Sequence, residues 1–181
     1  VDPSSGLRTT LIMSSWMAGE DPRDSAVREL RKKIEPNASV GIARDPWYWT
    51  PPFYKNTGLG PANARPEDRF RYLSEATDPK VVFYLPPDIN ARFDWDKRLL
   101  TEMKPEYLSF TSIEAYDVTR LQAVKNLDPV VQLQVDRAKE FFDIVRKDYE
   151  QAIVAGGGGP LLDDMAYIRP QVEIWKRKAK P

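Results

Sequence analysis

Two Asp-Pro pairs, Asp21-Pro22 and Asp128-Pro129, each stand before a run of apolar residues at helical spacing. Asp is a favoured N-cap residue and Pro is favoured at the first helical position, so each pair predicts a helix start. The first helix is predicted from Pro22 to Glu35. The second is predicted to be the longest, continuing to about Val154 before glycines 156–159 stop it. Helices separated by short apolar runs favour an α/β architecture.

The apolar runs around these helices predict five strands, Leu7–Met13, Ser39–Ala43, Lys80–Leu85, Tyr107–Ile113 and Gln171–Lys176. Since Val81–Leu85 lacks a polar face, it is predicted at or near the centre of the sheet. The last strand alternates apolar and polar residues and is predicted at an edge.

Further elements are predicted between the strands. Pro36-Asn37 predicts a turn, Glu67–Ala76 a short helix, and Asp94 the cap of a helix with Trp95, Leu99 and Met103 on one face. The alternation predicts a single α/β domain, with a mostly parallel or mixed sheet and helices on both faces. Residues 1–20 are predicted to be a strand and lead-in after an upstream membrane region, residues 21–177 the domain, and residues 178–181 a tail.

Charge and residue types exclude several functions. Lys and Arg number 27 and Asp and Glu number 27, so no net field favours a nucleic-acid partner. The chain has neither Cys nor His, which removes thiolate metal sites, the usual general base and Ser-His-Asp triads. We therefore expect no metal site and no cofactor. No window approaches the roughly 20 apolar residues of a membrane helix, which predicts a soluble domain. The start at Val1, without a signal-peptide pattern, predicts a native start upstream.

Carboxylates are the plentiful acid-base groups, at Asp88, Asp94, Asp96 and Asp163-Asp164. Paired carboxylates can cleave glycosides across a gap of about 5–10 Å, which leaves a hydrolase open as a third hypothesis. Asp94 is more simply a cap and Asp163-Asp164 a solvated turn, so no catalytic residue is assigned. The glycines 156–159 follow a helix instead of preceding one, which favours a turn over a phosphate-binding loop.

An aromatic loop is the most unusual feature, and it follows the strand that ends at Ala43. It is predicted to span residues 44–65 and to bind a substrate or partner through Arg44, Asp45, Trp47, Tyr48, Trp49 and Tyr54. Aromatic faces stack on sugars, while Arg and Asp bind hydroxyls. The alternative is a loop folded over its own core, held by prolines and including Phe53. In open α/β sheets ligands gather beyond the carboxyl ends of strands, which favours the functional interpretation.

Several stretches resemble the C-terminal region of bacterial glycosyltransferases related to the protein O-mannosyltransferases and lipid A aminoarabinose transferases. They are Asp21–Ala26 with its helix to Ile34, Glu35–Ile42, Lys104–Ser109, Tyr149-Glu150 and Asp164–Trp175. The resemblance covers most of the chain from Asp21 and is one of pattern and order. Relatives often have His before the Asp-Met pair, where this chain has Asp163, so any role of that His is in doubt.

The resemblance implies a multispanning parent enzyme that takes sugar from a polyprenyl-phosphate donor, with this domain on the extracytoplasmic, periplasmic side. The implied catalytic acid lies in a loop outside this chain, so the domain is expected to cover or shape the membrane site or to bind the acceptor. Its implied partners are the upstream transmembrane domain and the polyprenyl-phosphate sugar or glycan acceptor. The alternative is a free carbohydrate-binding or solute-binding α/β module.

Overall fold

The computed structural model describes residues 6, 10–11, 14–15, 18–45, 50–53, 79–157 and 169–179. Within them the chain forms one five-stranded mixed sheet. The helices are α1 (Pro22–Lys33), α2 (Ser112–Thr119) and α3 (Pro129–Asp148). The strands are β1 (Ser39–Ile42), β2 (Lys80–Val82), β3 (Tyr107–Thr111), β4 (Tyr149–Ala155) and β5 (Val172–Arg177). Short helical turns cover Ile89–Ala91, Leu99–Met103 and Arg120–Ala123.

The strand order is β2-β1-β3-β5-β4. The first three strands are parallel, with Val40 of β1 paired to Val81 on one side and to Tyr107 on the other. Strand β5 runs antiparallel to both of its neighbours. Because β1, β2 and β3 point the same way, the segments that follow them leave from the same end of the sheet.

Helices cover both faces of the sheet, which confirms the predicted α/β class. Helix α1 packs Ala26, Val27 and Leu30 against one face, in a cluster with Val40 and Ile174. Helix α3 packs against the opposite face through the side chains Ala138, Phe141, Phe142 and Val145, in a cluster with Leu108 and Phe110. In β3, Tyr107 belongs to the cluster with α1 and Leu108 to the cluster with α3. Neighbouring residues of the strand therefore face different helices, as its two-residue period requires.

The predicted starts of both long helices are confirmed. The Asp21 carboxylate accepts a hydrogen bond from the backbone N–H of Arg23 at 2.8 Å, and Asp128 accepts one from Val130 at 2.8 Å. The turn at Pro36-Asn37 is also confirmed, with Asn37 in the left-handed region at φ 66°.

The predicted order of strands is wrong at two places. Strand β2 lies at the edge of the described sheet, although Val81 and Phe83 are buried. Apolar residues on both faces of a short edge strand can be buried by the layers above and below, so burial did not require a central position. The central strand is β3, whose five residues are all buried. Strand β5, predicted at an edge, lies between β3 and β4.

That second difference follows from the end of α3. The helix ends at Asp148 instead of near Val154, because Tyr149 turns to extended backbone at φ −123° and ψ 159°. Residues Tyr149–Ala155 then form β4, which pairs along the outer side of β5. The apolar residues Tyr149 and Ile153 continue the helical spacing by coincidence, and the sequence prediction extended the helix through them.

Three further predictions differ from the structure. Asp94 caps no helix and lies with Trp95 in a turn, while Asp96 accepts from the Arg98 N–H at 2.9 Å. The strand predicted to Ile113 ends at Thr111, which caps α2. In the strand predicted over Leu7–Met13, the two described residues, Thr10 and Leu11, are helical. The helix predicted over Glu67–Ala76 lies outside the described residues.

Over the part of the chain that the structure describes, no helix combines the length and the apolar character needed to cross a bilayer.

Candidate functional site

A cavity of about 570 Å³ opens beyond the carboxyl ends of the three parallel strands. Arg44 and Asp45 enter it from the segment after β1, and residues 92–95 enter from the segment after β2. Helix α2, which follows β3, contributes Asp117. We call this the strand-end cavity. Ligands in open α/β sheets bind at such positions, where neighbouring connections leave the sheet in different directions.

Arg44 connects the three segments that form the strand-end cavity. Its Nε donates to the Asp94 carboxylate at 3.1 Å, and its Nη1 lies 3.4 Å from the Asp117 carboxylate. The same Nη1 lies 3.5 Å from the backbone carbonyl of Glu114. The side chain is only 18% exposed, so solvent screens these contacts less than it screens a surface ion pair.

Arg92 forms a second set of ion pairs beside the first. Its guanidinium donates to the Asp45 carboxylate and lies 3.8 Å from that of Asp94. The side chain is 11% exposed, while that of Asp45 is 60% exposed. Asp94 is thus shared between Arg44 and Arg92, which fixes the loop after β1 against the loop after β2.

Aromatic residues form the floor of the strand-end cavity. Trp95 is 2% exposed and takes a left-handed φ of 61°, with its ring 4.8 Å from that of Phe142 between centroids. The Arg137 guanidinium lies 3.7 Å from the centroid of the Phe93 ring, a cation-π contact. The ring of Trp95 therefore anchors this loop to the core, and one side of Phe93 is occupied by a guanidinium.

Glu114 lies behind the cavity and is 3% exposed. Its carboxylate accepts from the Thr111 N–H at 2.7 Å and from the Thr111 hydroxyl at 2.9 Å, forming a capping box at the start of α2. Burial raises the pKa of Glu114 to about 7, against the hydrogen bonds from Thr111 and the charge of Arg44, which lower it. Glu114 does not line the cavity.

The charges that line the strand-end cavity are balanced. Three guanidiniums, those of Arg44, Arg92 and Arg137, face three carboxylates, those of Asp45, Asp94 and Asp117. Among the described residues no group of three or more Asp or Glu side chains could hold a metal ion. The arrangement offers alternating hydrogen-bond donors and acceptors with no net charge.

The structure describes some of the residues predicted from the sequence to form the site. Arg44 and Asp45 both line the strand-end cavity. Trp47, Tyr48, Trp49 and Tyr54 lie outside the described residues. Phe53, the other ring of that segment, is 1% exposed and belongs to the core cluster beneath α1, so this ring covers the domain's own core.

The other predicted carboxylates have different roles. Asp88 caps the short turn at Ile89–Ala91 by accepting from the Asn90 N–H at 3.0 Å. Asp96 is 5% exposed and holds the Arg98 guanidinium, with 2.6 Å between its Oδ2 and Nη2. Asp163 and Asp164 lie outside the described residues. Of the candidate acids, Asp94 therefore contributes to the cavity, and it does so through ion pairs.

Sequence reasoning missed Arg92, Asp117 and Arg137 as cavity residues. Arg92 follows β2 as Arg44 follows β1, so the rule that selected the first loop also applied to the second. The helix carrying Asp117 had a signal in Thr111-Ser112-Ile113-Glu114, the pattern of a capping box. Nothing in the sequence marks Arg137, which reaches the cavity from α3.

No protein-family model, curated protein or solved structure matches this chain.

Proposed function

We propose that this chain is a non-catalytic domain of a membrane glycosyltransferase that uses a polyprenyl-phosphate sugar donor, and that its strand-end cavity binds the sugar of a glycan acceptor. The likeness of Asp21–Ile42, Lys104–Ser109 and the C-terminal segment to such enzymes supports the first part. The observation that carries the second part is the strand-end cavity, with its three guanidiniums and three carboxylates in charge balance.

The chemistry of the cavity suits hydroxyl groups. A sugar hydroxyl both donates and accepts, so it is satisfied by a guanidinium and a carboxylate that lie side by side. Arg92 and Asp94 form such a pair at 3.8 Å, and Arg44 and Asp117 another at 3.4 Å. Because the charges cancel, the cavity gives no electrostatic advantage to an ionic ligand.

The size and the position of the cavity agree with this proposal. Its volume of about 570 Å³ lies within the range of about 300–1,000 Å³ that is usual for small-ligand sites. The described rings are already engaged, since Trp95 is buried and Phe93 contacts Arg137. We expect the rings that stack on the sugar to be Trp47, Tyr48 and Trp49, which follow Asp45 and Pro46 in the sequence.

The contacts of the described carboxyl groups support a non-catalytic role. A general acid or base works best when its pKa is close to the working pH. Glu114 has a pKa of about 7, but its carboxyl is committed to Thr111 and stays out of the cavity. The cavity carboxylates form ion pairs with guanidiniums. This structural role explains their presence in the cavity without a catalytic one.

The proposal is tested by sugar transfer in liposomes, with the full-length parent protein beside the isolated 181-residue chain. We expect the parent to transfer sugar and the isolated chain to transfer none. Asp117→Asn in the parent should raise the KM for acceptor by about tenfold, a loss of about 1.4 kcal/mol of binding, with little change in kcat. Turnover by the isolated chain that disappears on Asp→Asn change at Asp88, Asp94, Asp163 or Asp164 would contradict the proposal.

A free carbohydrate-binding module is the second candidate, because the cavity supports sugar binding without reference to the family resemblance. The open reading frame upstream of Val1 separates the two. Eight or more apolar segments of membrane-spanning length support the glycosyltransferase domain, and a lone signal peptide supports the free module.

A further inference from the structure

A second cavity, of about 470 Å³, lies at the opposite end of the sheet. It opens where β3 and β4 begin and where β5 ends, and α3 finishes beside it at Asp148. Its lining contains four basic side chains, Lys104, Lys147, Arg177 and Lys178, and one acidic side chain, that of Asp148. We call it the basic cavity. It carries a formal charge of about +3 in a chain whose total formal charge is +0.

Carboxylates offset the positive charges of the basic cavity only in part, through Asp148 in its lining and through Glu106, whose charge acts on Arg177. Within the described part of the chain, none of the four basic side chains forms an ion pair. Arg177 donates from Nη1 to the Lys104 carbonyl at 2.7 Å, and Lys178 donates from Nζ to the Lys147 carbonyl at 2.8 Å. A carbonyl positions a cation without cancelling its charge, so the cavity stays positive.

The two C-terminal cations are held in place by the fold. The backbone N–H of Arg177 donates to the Glu106 carbonyl at 2.8 Å, and that of Lys178 donates to the Asp148 carbonyl at 2.9 Å. An ammonium has three donors and a guanidinium five, so both side chains keep donors beyond these contacts. Cations fixed in this way lose little conformational freedom when an anion binds.

The partial negative charge at the carboxyl end of α3 repels an anion, but it is smaller than the positive charge of the basic cavity. A helix carboxyl end carries about half a negative charge, and Lys178 already lies against its last carbonyls. The net charge of about +3 on the side chains exceeds that dipole several-fold. The end of α3 accounts for Lys178 and for Lys147, which lies in its last turn, and leaves Lys104 and Arg177 without this explanation.

We infer that the basic cavity binds a phosphate ester. A phosphate carries up to two charges and three acceptor oxygens, which match a guanidinium together with several ammonium groups. A diphosphate would neutralise the cavity most completely. The buried side chain of Leu100 and the ring of Tyr149 adjoin these cations, so an apolar group attached to the phosphate also has a surface to contact. This site is separate from the strand-end cavity and does not depend on its proposed function.

The test uses the 181-residue chain labelled with ¹⁵N, with inorganic pyrophosphate as one probe and anionic phosphatidylglycerol vesicles as the other. The variant is Lys104→Gln with Lys147→Gln, whose side chains form neither a hydrogen bond nor an ion pair with any described residue. The matched control is Lys33→Gln with Lys125→Gln, which removes the same charge at two exposed positions away from the cavity.

We expect saturable shifts of the amides of residues 104, 147 and 177–179, and an affinity about tenfold lower in the cavity variant but unchanged in the control. Raising the salt from about 50 to about 200 mM should weaken binding, because the interaction is electrostatic. Saturable shifts with pyrophosphate indicate that the site takes the phosphate group of a soluble ligand, and saturable shifts with vesicles alone indicate a lipid headgroup. Absence of binding to both probes, or equal losses in variant and control, overturns the inference.

Discussion

The Nε of Arg44 lies 3.1 Å from the carboxylate of Asp94, a residue 50 positions later in the chain. This contact joins the segment after β1 to the segment after β2. Because the Arg44 guanidinium also reaches Asp117 on α2, one side chain determines how the three walls of the strand-end cavity are placed. The stability of these segments and the geometry of the strand-end cavity are therefore coupled at this residue.

Arg44→Ala should lower the free energy of unfolding by about 1–3 kcal/mol, because it leaves Asp94 and Asp117 without their shared donor. The free energy of unfolding of Arg44→Lys should lie between those of Arg44→Ala and the native chain, because an ammonium keeps the charge but loses the planar, forked donors of the guanidinium. Urea denaturation of the 181-residue chain measures both. Arg28→Ala is the control, as that side chain is 50% exposed and its ion pairs should contribute less than about 1 kcal/mol. A loss for Arg44→Ala no greater than for Arg28→Ala would contradict this account.

Gly41→Ala should destabilise the sheet by about 1–3 kcal/mol, because a Cβ at this position would lie 2.6 Å from Cγ of the rigid Pro105 ring. Gly6→Ala is the matched control, since nothing lies within 4 Å of its added Cβ and the residue is helical. That change should leave stability unaltered or raise it by up to about 1 kcal/mol. Thermal melts should therefore show a lower melting temperature for Gly41→Ala and an unchanged or higher one for Gly6→Ala. An unchanged melting temperature for Gly41→Ala would contradict the close packing of β1 against Pro105.

Glu114→Gln should change how stability depends on pH above pH 4.5. The native pKa of Glu114 is raised from 4.5 to about 7, so the folded state holds a proton that the unfolded state releases. Stability from this group is therefore largest below pH 4.5 and falls by about 3 kcal/mol as the pH rises through 7. Gln keeps an acceptor for Thr111 and does not titrate. Urea unfolding at pH 5 and pH 8 should show a smaller decrease for the variant, and equal decreases would contradict the assignment.

Glu35→Gln should change stability in the acid range, with the opposite sign. Hydrogen bonds from Lys176 and from the Tyr107 hydroxyl lower the pKa of Glu35 to about 2. The stabilising contribution of this carboxylate is fully present above pH 4.5 and is lost as the pH falls through 2. Melting temperatures between pH 5 and pH 2 should decrease more for the native chain than for the variant. The difference should shrink in high salt, because Glu35 is exposed.

The sequence predicted the fold class well because local chemistry determines it. The Asp-Pro pairs mark the starts of α1 and α3, and the alternation of apolar runs with helices defines an α/β domain. The order of strands depended on contacts between distant residues, which no local pattern contains. Strand β4 is the example, since Tyr149 and Ile153 satisfy the helical period but pack in a strand.

The candidate site was likewise predictable where local sequence determines it and not where it depends on the order of the strands. Arg44 and Asp45 could be placed because a loop after a parallel strand lies at the ligand-binding end of the sheet. Arg92 and Asp117 reach the same cavity only because β2 and β3 flank β1, and that order was unknown from the sequence. Arg137 arrives from the middle of α3, where helical periodicity does not distinguish a cavity residue from an ordinary exposed one.

Titration of the ¹⁵N-labelled chain with neutral monosaccharides, followed by amide chemical shifts, tests the central claim most directly. We predict saturable shifts at residues 44–45, 92–95 and 117, with a Kd on the order of 1 mM, equivalent to about −4 kcal/mol. Trp47→Ala with Trp49→Ala should weaken binding about tenfold while leaving the melting temperature unchanged. The claim is contradicted if no neutral sugar produces saturable shifts at these residues. It is also contradicted if the double variant loses the roughly 3–5 kcal/mol of unfolding free energy expected for a buried Trp.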